Sequence, residues 1–119
     1  MKIENIKFKA KSLDNNGGLV IGDLVHSTSY VGIGYPSSVF PDVPVVHRVD
    51  PSTVCQFTGL KDKNGTPIYE GDIVTYKDNN AKRRGVIVWD SKAAAFCFGQ
   101  DFLVHYPSEN MEVIGNEFD

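Results

Sequence analysis

The sequence is poor in helix formers, in cysteine and in net positive charge. Leu and Ala number five each against fourteen Val and eight Ile. Side chains branched at Cβ lose rotamer freedom in a helix and pack well on a pleated surface, which argues against long helices. Cys55 and Cys97 are the only cysteines, with no C-x-x-C pair. That excludes a disulfide-stapled scaffold and the common zinc patterns, and both thiols are expected reduced and buried. No window approaches the ~18 apolar residues of a membrane span. No apolar core of signal-peptide length follows Met1-Lys2-Ile3-Glu4-Asn5, so the expected location is cytoplasmic, with no membrane partner. Lys and Arg total 12 against 15 Asp and Glu, a net charge of -3, which opposes general nucleic-acid binding.

What remains is ordinary globular material: 119 residues, 41% hydrophobic and 23% charged, enough for one domain or two small ones tightly joined. Ile6 to Lys11 alternates strictly between an apolar residue and lysine, the period of a half-buried strand. Asn15-Asn16-Gly17-Gly18 supplies turn chemistry before Leu19–Val25 returns, so residues 1–25 read as a hairpin. Pro36, Pro41, Pro44 and Pro51 interrupt residues 26–53. Proline fixes φ and removes a ladder donor, so this segment is expected to be irregular, a meander of short edge strands or an ordered loop. From residue 54 turn signals recur every ~8–12 residues, as in a small barrel or sandwich. Strands are expected at 54–57, after the Gly71-Asp72 turn, and at 85–90, 94–98, 102–105 and 111–115. One helical turn is expected at 107–110, with Ser108 as its cap. The expected fold is all-β with at most one or two short helical turns. An N-terminal hairpin would precede a small SH3-like barrel or compact β-meander over 54–119, in a single module spanning 1–119.

Charge is unevenly spread. Residues 1–60 sum to zero, residues 61–100 to +2, and residues 101–119 carry Asp101, Glu109, Glu112, Glu117 and Asp119 with no Lys or Arg. Such asymmetry suits partner binding or head-to-tail contact between copies; the plainer reading is a solvated acidic end. Lys77, Lys82, Arg83 and Arg84 fall on an expected hairpin tip at 77–85, flanked by Tyr76 and Trp89. A basic loop with aromatics can hold single-stranded nucleic acid by stacking. A solvated hairpin with Trp89 in the core explains the same residues.

Catalytic and metal signatures are sparse. His26, His47, His105, Cys55 and Cys97 show no ligand spacing. There is no G-x-S-x-G, and neither cysteine has a histidine nearby in sequence. Glu70 and Asp72 share a strand face at i and i+2, but turn stabilisation accounts for them. Gly32-Ile33-Gly34-Tyr35-Pro36 lacks the strand-to-helix setting and the Lys-Ser/Thr ending of a phosphate loop. The expectation is a chain with no enzymatic activity, no cofactor and no metal.

One segment is distinctive. Cys55-Gln56-Phe57-Thr58-Gly59-Leu60-Lys61-Asp62-Lys63-Asn64-Gly65-Thr66-Pro67-Ile68-Tyr69-Glu70-Gly71-Asp72-Ile73-Val74 resembles the core of the YopX family of phage and prophage proteins, whose pattern is approximately Q-[FY]-T-G-L-x-D-x-N-G-x-x-I-[YF]-E-G-D-[IV]-[VI]. Ile6-Lys7-Phe8-Lys9-Ala10 and Glu112-Val113-Ile114-Gly115-Asn116 agree in order, so the resemblance spans essentially the whole chain. Lys9 stands where arginine is common, and residues 26–53 show no resemblance. The resemblance implies a small β-rich protein of temperate phages or integrated elements, multimeric assembly, and no activity or catalytic residues. Physically, Thr58, Gly59, Asn64, Gly65, Tyr69, Gly71 and Asp72 read as a structural clasp: glycines at turns, an Asn-Gly tip, a covering tyrosine and a carboxylate for turn amides. The expected function is that of a phage or prophage accessory protein in the bacterial host cytoplasm. It would act by self-assembly, through strand edges or acid-to-base contact, or by binding a phage or host protein. The alternative is a nucleic-acid-binding module using the basic hairpin.

Overall fold

The computed structural model describes residues 2–14 and 17–119; the expected Asn15-Asn16 turn lies outside the described residues. Two compact units divide the chain, Met1–Gln56 and Phe57–Asp119. Among the described residues strand pairing is antiparallel throughout. Helical structure there is confined to three-residue 3₁₀ turns, and no helix is long and apolar enough to cross a membrane.

In the first unit a 3₁₀ turn at Ile3–Asn5 delays the first strand, so β1 is Phe8–Lys11. It pairs with β2 (Leu19–His26), which pairs with β3 (Val31–Pro36), which pairs with β4 (Pro44–Arg48). On the other side of β1, Cys55 and Gln56 at the start of β5 (Cys55–Lys61) pair with Lys9 and Phe8. Ala10, Val20, Ile33 and Val49 form the core, with Phe8, Val31 and Val54 packed against it. Residues 26–53 are therefore a meander, more regular than the prolines suggest. Pro36 and Pro44 face each other at the loop end of the β3–β4 pair, where a missing donor costs little. Gly22 and Gly32 sit at close approaches between the strands. A Cβ on Gly22 would lie 2.2 Å from the Gly34 carbonyl oxygen, and one on Gly32 2.9 Å from Val46 Cγ1, so only glycine fits there.

In the second unit the remainder of β5 pairs with β6 (Pro67–Tyr69). Then come β7 (Asp72–Lys77), β8 (Lys82–Asp90), β9 (Ala95–Phe98), β10 (Asp101–Phe102) and β11 (Met111–Asn116), in the spatial order β10-β9-β8-β7-β11. Ile68, Val74, Tyr76, Ile87, Phe98, Leu103 and Met111 build its core. The meander is what forms; the sheet does not close into an SH3-like barrel. The outer edge of β11 is occupied by the 62–66 turn: Lys63 N donates to the Met111 carbonyl and Val113 N to Asp62 Oδ2, both at 2.9 Å. At the opposite edge β10 ends after two residues, because the chain tightens into a 3₁₀ turn at Leu103–His105 that buries Leu103. The expected strand at 102–105 is corrected accordingly. A second correction concerns 107–110: Pro107, not Ser108, holds the cap position of the 3₁₀ turn Ser108–Asn110, and no side chain caps it.

Candidate functional site

The 58–72 segment folds as a clasp. Thr58 Oγ1 donates to the Ile68 carbonyl at 2.7 Å and accepts from Leu60 N at 3.2 Å. Gly59, Gly65 and Gly71 have φ of +88°, +79° and +83°, a region that L side chains rarely adopt. Asp72 accepts from Tyr69 N at 2.7 Å and from Asn116 Nδ2 at 2.9 Å, and the Tyr69 ring packs against Phe57 at 5.4 Å. Burial, reinforced by the Asp72 charge, pushes the Tyr69 hydroxyl above its ordinary range. The hub of this segment is a residue the sequence reading passes over. Buried Asp62 accepts from Asn64 N (2.8 Å) and Thr66 N (2.9 Å) with one oxygen and from Val113 N (2.9 Å) with the other. Burial pushes this carboxyl up, yet the Val113, Thr66 and Asn64 amides, with the charge of Lys63, prevail and hold it below its ordinary range. The Asp-x-Asn-Gly spacing, an acceptor two residues before a turn amide, is the signal that identifies it.

The basic hairpin differs from expectation. Lys82, Arg83 and Arg84 lie within β8, in register with Lys77, Tyr76 and Thr75. The tip is Asp78–Ala81, held by Asp78 Oδ1 accepting from Asn80 N and Ala81 N at 2.8 and 2.7 Å. Strand alternation then splits the cluster between two faces. Lys77, Lys82 and Arg84 lie exposed on one face, and among the described residues none of the three has an ion-pair partner. Arg83 lies on the other face, where Nη1 donates to the Asp101 carboxylate and to the Tyr106 hydroxyl. Tyr106 in turn donates to Asp101 at 2.7 Å. The guanidinium sits 5.3 Å from the ring centres of both Phe98 and Tyr106. The Arg83 and Tyr106 donors hold the Asp101 carboxyl below its ordinary range.

Tyr76 is buried, its hydroxyl donating to Asp78 at 2.9 Å and its ring edge-on to Tyr106 at 5.1 Å. Tyr76 is thus part of the core, while the half-buried Arg83 guanidinium is engaged by Asp101 and Tyr106. Trp89, read either as a contact flanking the basic loop or as core, is 46% exposed and edge-on to Phe96 at 5.0 Å. It lies five residues beyond Arg84, about 17 Å along the strand and on the opposite face. The acidic C-terminal segment is also partly engaged. Asp101 serves Arg83, Glu112 accepts from Asn64 Nδ2 at 3.2 Å and lies 3.8 Å from Lys63 Nζ, and Asp119 accepts from Asn116 N at 2.7 Å.

Two apolar features stand out that the sequence reading does not single out. A cleft of about 460 Å³ opens in the second unit between Leu60, Phe96, Phe102, Leu103, Val104 and Tyr106. In the first unit the tip of the β3–β4 hairpin displays Val39, Phe40 and Val43 to solvent. Ser37 Oγ accepts from Val39 N and Phe40 N, each at 3.2 Å, and Val43 N donates to the Phe40 carbonyl at 2.9 Å. The tip is therefore ordered by its own hydrogen bonds. The signal in the sequence is an apolar pair enclosed by Ser37-Ser38 and Pro41-Asp42. Among the described residues no three of His, Cys, Asp and Glu gather as metal ligands. Cys55 and Cys97 are both buried.

The family model for the YopX protein matches residues 23–119. The chain belongs to the YopX family. The YopX match takes in the clasp, the basic hairpin and the cleft, and it also covers residues 26–53, where motif comparison finds no likeness. It begins beyond Ile6–Ala10. No curated protein matches the chain.

Proposed function

We propose that this YopX-family chain is a phage or prophage accessory protein that works without catalysis, as a cytoplasmic β module binding further copies of itself or a partner protein. The observation that carries this reading is the exposure of clustered apolar side chains: Val39, Phe40 and Val43 at one ordered loop, and Phe102 and Val104 around an open cleft. Contiguous apolar patches on a small protein mark interaction surfaces, because leaving them in water forfeits the free energy of burial. The buried polar groups support the same reading, since Asp62 and Asp72 are committed to backbone amides and an asparagine amide rather than aimed into a cavity. Light scattering after size exclusion tests it. A mass of at least two chains at tens of micromolar is expected, persisting in high salt because the contacts are apolar. A monomer at every salt concentration refutes self-assembly.

A second reading rests on Lys77, Lys82 and Arg84, three exposed cations on one sheet face. Lys77 and Lys82 stand directly opposite each other, an arrangement that costs stability unless an anion is shared. A phosphate backbone fits such a stripe by charge alone, without base stacking. Low-salt binding of DNA that disappears in the Lys82→Ala/Arg84→Ala double variant supports it; an equal affinity in the variant, or no binding, refutes it.

A further inference from the structure

We propose that Asn64-Gly65 is a deamidation site that the closed clasp keeps unreactive, so that opening of the clasp converts Asn64 to aspartate or isoaspartate and loosens the cover of β11. Among the described residues Asn64 is the asparagine followed by glycine, and that pairing sets the chemistry. The Gly65 nitrogen, on losing its proton to base, attacks Cγ of Asn64. A succinimide ring forms as the Cγ–Nδ2 bond breaks, and ammonia leaves after taking up a proton. Water then opens the ring at one carbonyl or the other. The product is aspartate, or isoaspartate with an extra main-chain carbon. Nothing is oxidised or reduced, and water is the co-reactant. Glycine lacks the Cβ that hinders this approach in other residues. Asn64 and Gly65 are both exposed, so solvent reaches them and hydrogen bonding is what restrains the step.

The attacking atom, Gly65 N, donates to the Asp62 carbonyl at 3.0 Å. Asn64 N donates to Asp62 Oδ1 at 2.8 Å, and the side-chain amide that must leave donates to Glu112 Oε2 on β11 at 3.2 Å. Nucleophile and target are thus each tied to a different partner. The ties to Asp62 release together, because its carboxylate also holds Thr66 N at 2.9 Å, on the far side of Gly65. The product does not fit the clasp as asparagine does. A carboxylate at position 64 puts a negative charge where a donor faced Glu112, and like charges at that range repel. Isoaspartate also lengthens the main chain between the Asp62 carbonyl and Gly65 N. The turn that sets Lys63 N on the Met111 carbonyl and Asp62 on Val113 N then cannot close as before. Those two bonds cover the β11 edge, and an uncovered edge presents unpaired N–H and C=O groups.

Peptide mass spectrometry on the full chain, held in mildly alkaline buffer with and without guanidinium chloride, tests this. Chromatography of the same peptides separates aspartyl from isoaspartyl product. Asn64 should convert about tenfold or more faster in denaturant than in buffer, the ratio that a few ordinary hydrogen bonds supply. Asp62→Asn and Glu112→Ala should each speed conversion in buffer, the second by several-fold for one exposed bond. Circular dichroism melts establish that each variant is folded, and Glu112→Ala carries the test alone if Asp62→Asn is not. Chain converted in denaturant and refolded should exchange the Val113 amide hydrogen faster than unconverted chain treated alongside. No conversion in denaturant removes the site. Equal rates in buffer and denaturant, or folded variants no faster than wild type, show that the clasp does not hold it closed. Equal exchange at Val113 refutes the loosening of β11.

Discussion

Asp62→Ala should destabilise the second unit more than any other single change in the clasp. One buried carboxylate holds three backbone amides from two parts of the chain. Val113 N sits on β11, and losing its acceptor there costs about 1–3 kcal/mol, the cost of an unsatisfied buried donor. Asn64 N and Thr66 N lie in an exposed turn and regain water, at a net loss of ~0.5–1.5 kcal/mol each. The sum centres on about 4 kcal/mol, a large share of the ~5–15 kcal/mol that stabilises a typical domain. Trp89, the sole tryptophan, lies in this unit, so its fluorescence in urea reports the transition directly. With a slope of ~1.5 kcal/mol/M the midpoint should fall by about 2.7 M. The pH dependence supplies an independent check. The folded carboxyl titrates below its ordinary range, so the folded state binds fewer protons than the unfolded one. The contribution is then complete above the unfolded value near ~3.9 and disappears as pH falls through the lower folded value. The wild type loses this stability on acidification, the variant has none to lose, and the gap between them should close. A gap below 1 kcal/mol at neutral pH, on the scale of ~1 kcal/mol for an ordinary hydrogen bond, or one unchanged in acid, refutes the hub role.

Other outcomes follow from neighbouring geometry. Arg83→Ala and Arg84→Ala should separate: the first lowers the urea midpoint by releasing Asp101 and Tyr106, and the second leaves it unchanged. Arg83→Lys should not restore the midpoint, because an ammonium cannot reproduce the planar guanidinium between two rings. Gly22→Ala places a Cβ 2.2 Å from the Gly34 carbonyl oxygen and should cost the first unit ~1–3 kcal/mol, as overpacking does; an unchanged melt contradicts the close approach. Ala94, with φ of +50°, should tolerate glycine with a gain of up to ~1 kcal/mol, since the left-handed region strains an alanine; a loss on thermal melting contradicts this. Cys55 and Cys97 are both buried and should react with a thiol reagent slowly in buffer and together in urea; fast reaction of either in buffer contradicts the packing.

The clasp was readable residue by residue because its chemistry is local: an Asn-Gly tip, glycines at positive φ and a carboxylate beside a turn all act within a few positions. Strand positions were readable for the same reason, since alternation and turn residues are short-range signals. What escaped depends on long-range pairing. Nothing near Arg83 announces that Asp101 and Tyr106 will meet it, 18 and 23 residues further along the chain. The basic run looked like one patch because adjacency in sequence hides the two faces of a strand. Which of the two expected architectures forms, meander rather than barrel, turns on a similar point: the turn at 62–66 blocks the β11 edge through Asp62 and Lys63, a pairing 51 residues apart in the case of Val113. The regularity of residues 26–53 was obscured by prolines whose place at the end of a strand pair only the register reveals.

Charge and apolar exposure lead to different interaction surfaces. Several members of the acidic segment are used inside the second unit, which weakens an acid-to-base contact between copies, while the apolar tip and cleft remain open. The association should therefore survive salt and yield to single carboxylates placed in the apolar patches. The most direct test is the mass of the wild-type chain by light scattering at tens of micromolar, in low and in high salt. Self-assembly through apolar surfaces predicts more than one chain in both conditions; a single-chain mass in both contradicts it.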